Sequence, residues 1–284
     1  MKVKIISDST CDLSKELLEK FDVATIPLVV NFDDESYYDG VNITVDNFYQ
    51  LVEQKNQLPK TAAISIPVIE DVIQKYLDEG YDIVYTGIGR SLSRTFENVV
   101  MVSQDLDPER IFPVDSMNLS TGTGLLVLKA CKYRDQGLCA KEIAAKLRHD
   151  RENVRSQFAI ETMEFLHKGG RCSGVAAFAG KLLNIKPVIA VNEGKLHVAR
   201  KVVGKMKMAL NAMLKQLEAD LDKLDRDGIF ITHSLGYESA AYLKEKITEM
   251  LPDVPVYETV AGCVISSHCG KGTIGILYMV KEEN

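Results

Sequence analysis

Short runs of β-branched and aliphatic residues recur through the first half of the chain, at positions 3–6, 27–30, 83–85 and 111–114. Each predicts a strand. Between the second and third, Val68, Ile69, Val72, Ile73, Tyr76 and Leu77 repeat at helical spacing and make one apolar stripe, which Gly80 is placed to terminate. Residues 45–53 predict another helix, with Thr44 as its N-cap. Strands alternating with helices imply right-handed crossovers and a mostly parallel, Rossmann-like sheet.

The texture changes after a charged stretch at 148–156, which reads as a linker or as an exposed helix end. Beyond it, strands are expected at 157–160, 185–191, 196–199, 229–233, 256–259 and 274–280, with helices over 205–222 and 238–251. Asn192-Glu193-Gly194-Lys195 signals a hairpin between two of these strands. The expected architecture is therefore α/β with two domains. Residues 1–155 form the parallel-sheet domain, and 156–284 form a smaller α/β domain with a mixed or antiparallel sheet.

Composition narrows the function classes. A chain of 284 residues, 46% hydrophobic and 26% charged, can bury sizeable cores without disulfides or metals. Its net charge of -6 speaks against a sequence-independent grip on nucleic acid, which needs a basic surface. No apolar run approaches the roughly 20 residues that span a bilayer, so no integral membrane contact is expected. The opening residues lead straight into a strand and a polar turn rather than a secretory signal. Six scattered cysteines without a C-x-x-C pair fit reduced thiols in a cytoplasm.

Candidate chemistry gathers in loops rich in small hydroxyl residues. Ser7-Asp8-Ser9-Thr10, Ser91-Leu92-Ser93-Arg94-Thr95 and the segment from Asp115-Ser116-Met117 through Thr121 to Gly124 each follow a strand, and Thr61 lies in a fourth loop. At the carboxyl ends of parallel strands such loops face the ligand crevice, where hydroxyls and helix N–H groups seat an anion. Plain N-capping accounts for any one of them. Several at one sheet edge point to binding. Gly270-Lys271-Gly272-Thr273-Ile274-Gly275 matches the dinucleotide fingerprint but opens a strand instead of a helix, so it is set aside. Read as extended chain, His268 and Cys269 point to opposite sides, which removes a simple Cys–His pair. His268 remains a candidate donor to a carboxylate, or a structural residue before a glycine turn. His149, His167 and His197 lack metal-ligand spacing, so no metal is expected. The glycine-rich basic segment 165–174 precedes an expected small-residue helix at 175–183. With Arg200 and Lys201 it makes a docking face or an ordinary solvated loop.

Taken in order, Ile6-Ser7-Asp8-Ser9-Thr10-Cys11-Asp12-Leu13, Tyr38-Asp39-Gly40, Leu58-Pro59-Lys60-Thr61, Leu92-Ser93-Arg94-Thr95-Phe96, Asp115-Ser116-Met117 and Phe165-Leu166-His167-Lys168-Gly169-Gly170-Arg171 resemble the DegV family. The closing His268-x-Gly-x-Gly completes a likeness that covers essentially the whole chain. The resemblance implies a bacterial lipid-binding protein that encloses one long-chain fatty acid, such as palmitate, in a cleft between its two domains. It implies no cofactor and no catalysis by the chain itself. An ATP-dependent fatty acid kinase subunit would act on the presented carboxylate, and the chain would then carry the acyl phosphate into phospholipid metabolism. Carried over by motif, Thr61 and Ser93 bind the carboxylate, His268 sits close to it, and Arg171 and Arg200 face the kinase. Ser116, Thr121 and Arg94 stand in the neighbouring loops as further ligand-binding candidates. Around Ser93 the family shows paired serines and a following glycine, where this chain has Gly89, Arg90 and Arg94; Arg90 or Arg94 is therefore expected to add positive charge near the head group.

Two other readings of the same loops stay open. One is an enzyme acting on a small phosphorylated or carboxylated metabolite, with His268 as acid or base. The other is a ligand-sensing protein that regulates a partner and hands nothing over.

Overall fold

The computed structural model describes residues 2–172 and 185–281, so the helix expected at 175–183 and the preceding Ser173 and Gly174 lie outside the described residues. In chain order the first half runs β1 (Lys2–Asp8), α1 (Lys15–Lys20), β2 (Val23–Ile26), β3 (Val29–Phe32), β4 (Glu35–Tyr38), α2 (Val45–Lys55) and β5 (Lys60–Ala62). It continues with α3 (Ile66–Asp78), β6 (Tyr81–Gly87), α4 (Thr95–Leu106), β7 (Ile111–Asp115), α5 (Ser120–Asp135) and α6 (Ala140–Asp150). The second half runs β8 (Val154–Ala159), α7 (Glu164–Gly169), β9 (Ile185–Asn192), β10 (Lys195–Val203), α8 (Met206–Ala219) and β11 (Ile229–His233). Last come α9 (Tyr237–Met250), β12 (Val256–Val260), α10 (Cys263–Cys269) and β13 (Ile274–Met279).

The first sheet is parallel throughout, in the order β2-β1-β6-β7. Its strands are apolar on both faces because helices cover both. Ile6, Ile83 and Tyr85 face Ile69, Ile73, Val99 and Val102 of α3 and α4. Their neighbours Ile5 and Val84 face α5 and α6. The second sheet is mixed, in the order β10-β9-β8-β13-β11-β12, with only β11 and β12 parallel. Ile229, Ile231, Ile274 and Ile276 pack under α8 and α9. A small antiparallel sheet, β4-β3-β5, stands beside the first.

One helix joins the two large sheets. Leu126, Val127 and Ala130 of α5 share a buried cluster with Ile5 and Val84 of the first sheet and with Phe230, Leu277 and Met279 of the second. At its start the helix comes too close to β8 for any side chain at Gly122. A methyl there would collide with Asn118 Oδ1 and Ser156 Oγ, which are hydrogen-bonded to each other at 2.7 Å.

Three expectations need correction. Of the strand expected at 27–30 only Val29 and Val30 are strand, at the start of β3; Pro27 and Leu28 separate it from β2, which belongs to a different sheet. Proline cannot donate to a ladder, and the chain changes sheet there. Of the two readings of 148–156, the helix end holds and the linker does not: the stretch contains the end of α6, one 3-10 turn and the start of β8, an interior strand of the second sheet. His268 and Cys269, read as extended chain, are instead the last residues of α10.

Candidate functional site

α10 is a short helix whose free N–H groups are satisfied from far away in sequence. Gly262 N–H donates to Asp12 Oδ1 at 2.8 Å, and Cys263 and Val264 N–H donate to the two oxygens of Asp39 at 2.7 and 3.3 Å. Carboxylates suit this place because a helix N-terminus leaves N–H groups unpaired and carries partial positive charge. Burial pushes both acids upward in pKa, against the pull of those hydrogen bonds. Ser120 O–H donates to Asp12 at 2.6 Å, and Ser9 O–H donates to Asp39 at 3.1 Å. The hydroxyl loops after β1 and β7 are thereby bound to the seat of α10.

His268 occupies the last turn of this helix. Its Nε2 lies 2.8 Å from Thr61 Oγ1 on β5, a strand held in place by the pairing of Val30 with Thr61. Burial, and then the positive charge of Arg171, pull the imidazole pKa from its ordinary 6.5 to about 4. The ring is neutral at physiological pH and carries one proton. Its Nδ1 is buried without a hydrogen-bond partner among the described residues. Gly169 permits the ring's position, because a methyl there would collide with Nδ1.

Thr61 and His268 line a cavity of about 200 Å3 together with Ser93, Arg94 and Arg171. The remaining walls are apolar: Leu28, Ile88 and Leu92 from the first half meet Leu196, Val264 and Ile265 from the second. Ser93 Oγ accepts the Thr95 N–H at 3.2 Å at the start of α4, so one serine both steadies the helix entrance and faces the cavity. Among the described residues the lining contains no acidic group.

The family model described as an uncharacterised protein of the DegV family matches residues 2–281. The chain belongs to the DegV family. A DegV domain-containing protein of Clostridium perfringens is 31% identical over 278 residues, covering 98% of each chain. Among solved structures, a DegV family protein of Thermus thermophilus, described for its fatty acid binding, superposes with a TM-score of 0.90 at 30% identity. That match covers 99% of this chain and 100% of the other. A stearic-acid-binding protein of Eubacterium ventriosum gives a TM-score of 0.85 at 29% identity over 98% of each chain.

Within this DegV fold the expected site residues fall into two groups. Thr61, Ser93, Arg94, Arg171 and His268 meet at one cavity. Ser116 and Thr121 are not among its walls. Ser116 Oγ donates to the Asn118 carbonyl and accepts from Thr123, whereas Thr121 Oγ1 lies 2.6 Å from Thr232 Oγ1 on the second sheet. Arg200 is exposed on β10 and donates to Ala212 O and Gln216 Oε1 of α8, both at 2.9 Å. Arg90 is drawn aside to Glu97 at 3.3 Å and lies over the Phe96 ring. Sequence reasoning passed over Asp12 and Asp39 as supports of α10, although both lie inside segments that carry the DegV likeness. Leu196 was expected only as the start of a strand and Gly169 only as part of a glycine-rich segment, and neither was placed at the site.

Proposed function

We propose that this chain holds one long-chain fatty acid, with its carboxylate at Thr61, Ser93 and His268, and presents that head group to a separate ATP-dependent kinase subunit without catalysing a reaction. The observation that carries the reading is the Thr61–His268 pair, 2.8 Å apart, in a cavity whose other polar walls are Ser93 and two arginines and whose remaining walls are mostly aliphatic. Hydroxyl and imidazole donors suit a carboxylate, and the arginines supply the charge that a neutral histidine does not. Burying about fifteen methylenes at ~0.8 kcal/mol each contributes on the order of 12 kcal/mol before association costs. Among the described residues the cavity, at about 200 Å3, is smaller than the roughly 300–1,000 Å3 of typical ligand sites. The fatty acid binding described for the Thermus relative and the stearic acid bound by the Eubacterium relative support the ligand class.

The enzyme reading is weaker on this geometry. A hydroxyl beside an imidazole resembles a nucleophile with its base, but that pairing needs a third group to orient the ring. Here Nδ1 has no such partner among the described residues.

Arg171 at the cavity rim and the exposed Arg200 are our candidates for the kinase-facing surface. We assign residues 1–155 and 156–284 to the two domains that contribute the walls, and place the protein in the cytoplasm as a carrier in phospholipid metabolism. No helix among the described residues is long and apolar enough to cross a membrane.

Mass spectrometry of an organic extract from purified, never-denatured protein tests the reading. One fatty acid per chain, with a restricted length distribution, is expected. A lipid-free extract from folded protein that also fails to take up added palmitate would refute it.

A further inference from the structure

At its start α5 lies close against the second sheet, at Gly122 and Ser156. Further along, Leu125, Leu128, Lys129 and Lys132 follow at helical spacing and line a cavity of about 380 Å3 between the helix and that sheet. The sheet contributes Phe230 of β11, Tyr257 of β12 and Met279 of β13, and Phe21 at the end of α1 also lines the space. This cavity is larger than the one of about 200 Å3 at His268, and the two share no lining residue. Close-packed interiors hold few voids larger than a water molecule. An apolar cavity of ~150 Å3 already takes benzene, and ligand sites run from roughly 300 to 1,000 Å3.

The charged groups at this cavity are matched by neighbours. Lys129 lies 2.5 Å from Asp225 and 2.8 Å from Asp227, and Lys132 lies 2.7 Å from Asp227. Asp135 is paired with Arg134 at 2.9 Å. The lining thus keeps no spare cation for a carboxylate or phosphate and no spare anion for an amine. What remains is apolar and aromatic. Phe230 and Tyr257 are stacked, with ring centroids 5.0 Å apart and planes at 26°. Gly228 permits that arrangement, because a methyl there would come within 2.7 Å of the Tyr257 ring. Two rings with the Met279 thioether in the same lining favour a further ring, through stacking, edge and sulfur–aromatic contacts.

We propose that the cavity between α5 and the second sheet is a second ligand site, which takes a small uncharged aromatic molecule of one or two fused rings. It is separate from the Thr61–His268 cavity and does not depend on the fatty-acid reading.

Isothermal titration of the full chain at neutral pH with indole, and with indole carboxylate as its charged counterpart, tests this. Indole should bind once per chain and about tenfold more tightly than the carboxylate, because burying an unmatched charge is costly. The Met279 methyl resonance, followed on protein labelled at its methionine methyls, should move as indole is added and saturate with the calorimetric isotherm. Leu128→Trp, which fills the cavity, should weaken indole binding by at least about tenfold and leave palmitate uptake as it was. Tyr257→Ala, which removes one of the stacked rings and leaves the buried Phe230 in place, should weaken it by about tenfold. In Asp227→Asn, where Lys132 loses its partner, the gap between indole and its carboxylate should narrow by about threefold. The proposal is overturned if indole does not bind, if the carboxylate binds as tightly, or if the Met279 methyl stays in place at saturating indole. Indole binding that survives in both folded Leu128→Trp and Tyr257→Ala would place the ligand elsewhere and overturn it too. Joint loss of indole and palmitate binding in folded Leu128→Trp would show one site rather than two, with the same consequence. A protein that binds indole as described but takes up no palmitate would fail the fatty-acid reading alone.

Discussion

A neutral imidazole beside a threonine hydroxyl, as at His268 and Thr61, has one proton to donate and one lone pair to receive, so it can order a carboxylate without supplying charge. The same burial that keeps it neutral links it to stability. Its folded pKa of about 4 lies below the ordinary 6.5, so in that window the unfolded chain binds the proton and the folded chain does not. The stability contribution is fully present above about pH 6.5 and is lost as pH falls through about 4. His268→Gln should therefore flatten the fall in unfolding free energy between those pH values, measured by denaturant titration at several pH values on ligand-free protein. A slope identical to that of the parent would rule out His268 as a buried neutral group. The depressed pKa of His233, also caused mainly by burial, is common to both proteins and drops out of the comparison. At this scale Ser93 is legible as a hydroxyl in a loop after a strand, a local signal, whereas its grouping with Thr61 and His268 comes from the DegV resemblance; Thr61, expected in a loop, lies on β5. The separate fates of Arg90 and Arg94 were not legible, since a pattern of charges does not say which one finds Glu97.

Among elements, α10 shows how a short helix is fixed by its partners. It lacks a side-chain cap of its own and takes its acceptors from Asp12 and Asp39. Both oxygens of Asp39 accept hydrogen bonds, the pattern of an ionised carboxylate, and an asparagine cannot reproduce it with one acceptor oxygen. Asp39→Asn should destabilise the protein by about 1–3 kcal/mol and, by loosening the helix that carries His268, weaken fatty-acid binding. Chemical denaturation and palmitate titration of the same variant check the two parts. A variant as stable as its parent would contradict the capping account. The sequence pattern read α3, α8 and α9 well because each buries one stripe. It missed α10, and with it the helical setting of His268 and Cys269, because a helix of two turns, buried on most sides, shows no stripe and no cap.

For the molecule as a whole, α5 is the element that makes the two large sheets depend on each other. Its contacts with Ile5 and Val84 on one side and Phe230 and Leu277 on the other are a single cluster. Loss of either sheet would expose that cluster to water. Thermal unfolding of the ligand-free chain should accordingly show one transition, coincident by far-ultraviolet circular dichroism and by tyrosine fluorescence. Two separated transitions would show that the halves unfold independently and that α5 belongs energetically to only one.

The sequence by itself determined the alternation of strands and helices in the first half, the hairpin at 192–195, most strands of the second sheet and the presence of hydroxyl loops at strand ends. These follow from side-chain period and turn chemistry, which act over a few residues. Tertiary structure alone decided that Thr61 meets His268 across the chain, that Ser116 and Thr121 spend their hydroxyls on internal hydrogen bonds, that Pro27 passes the chain between sheets, and that α5 is enclosed on both sides. Each of those depends on how separate sheets are set against one another, and local pattern reports whether a residue is buried, never which distant group it is buried against.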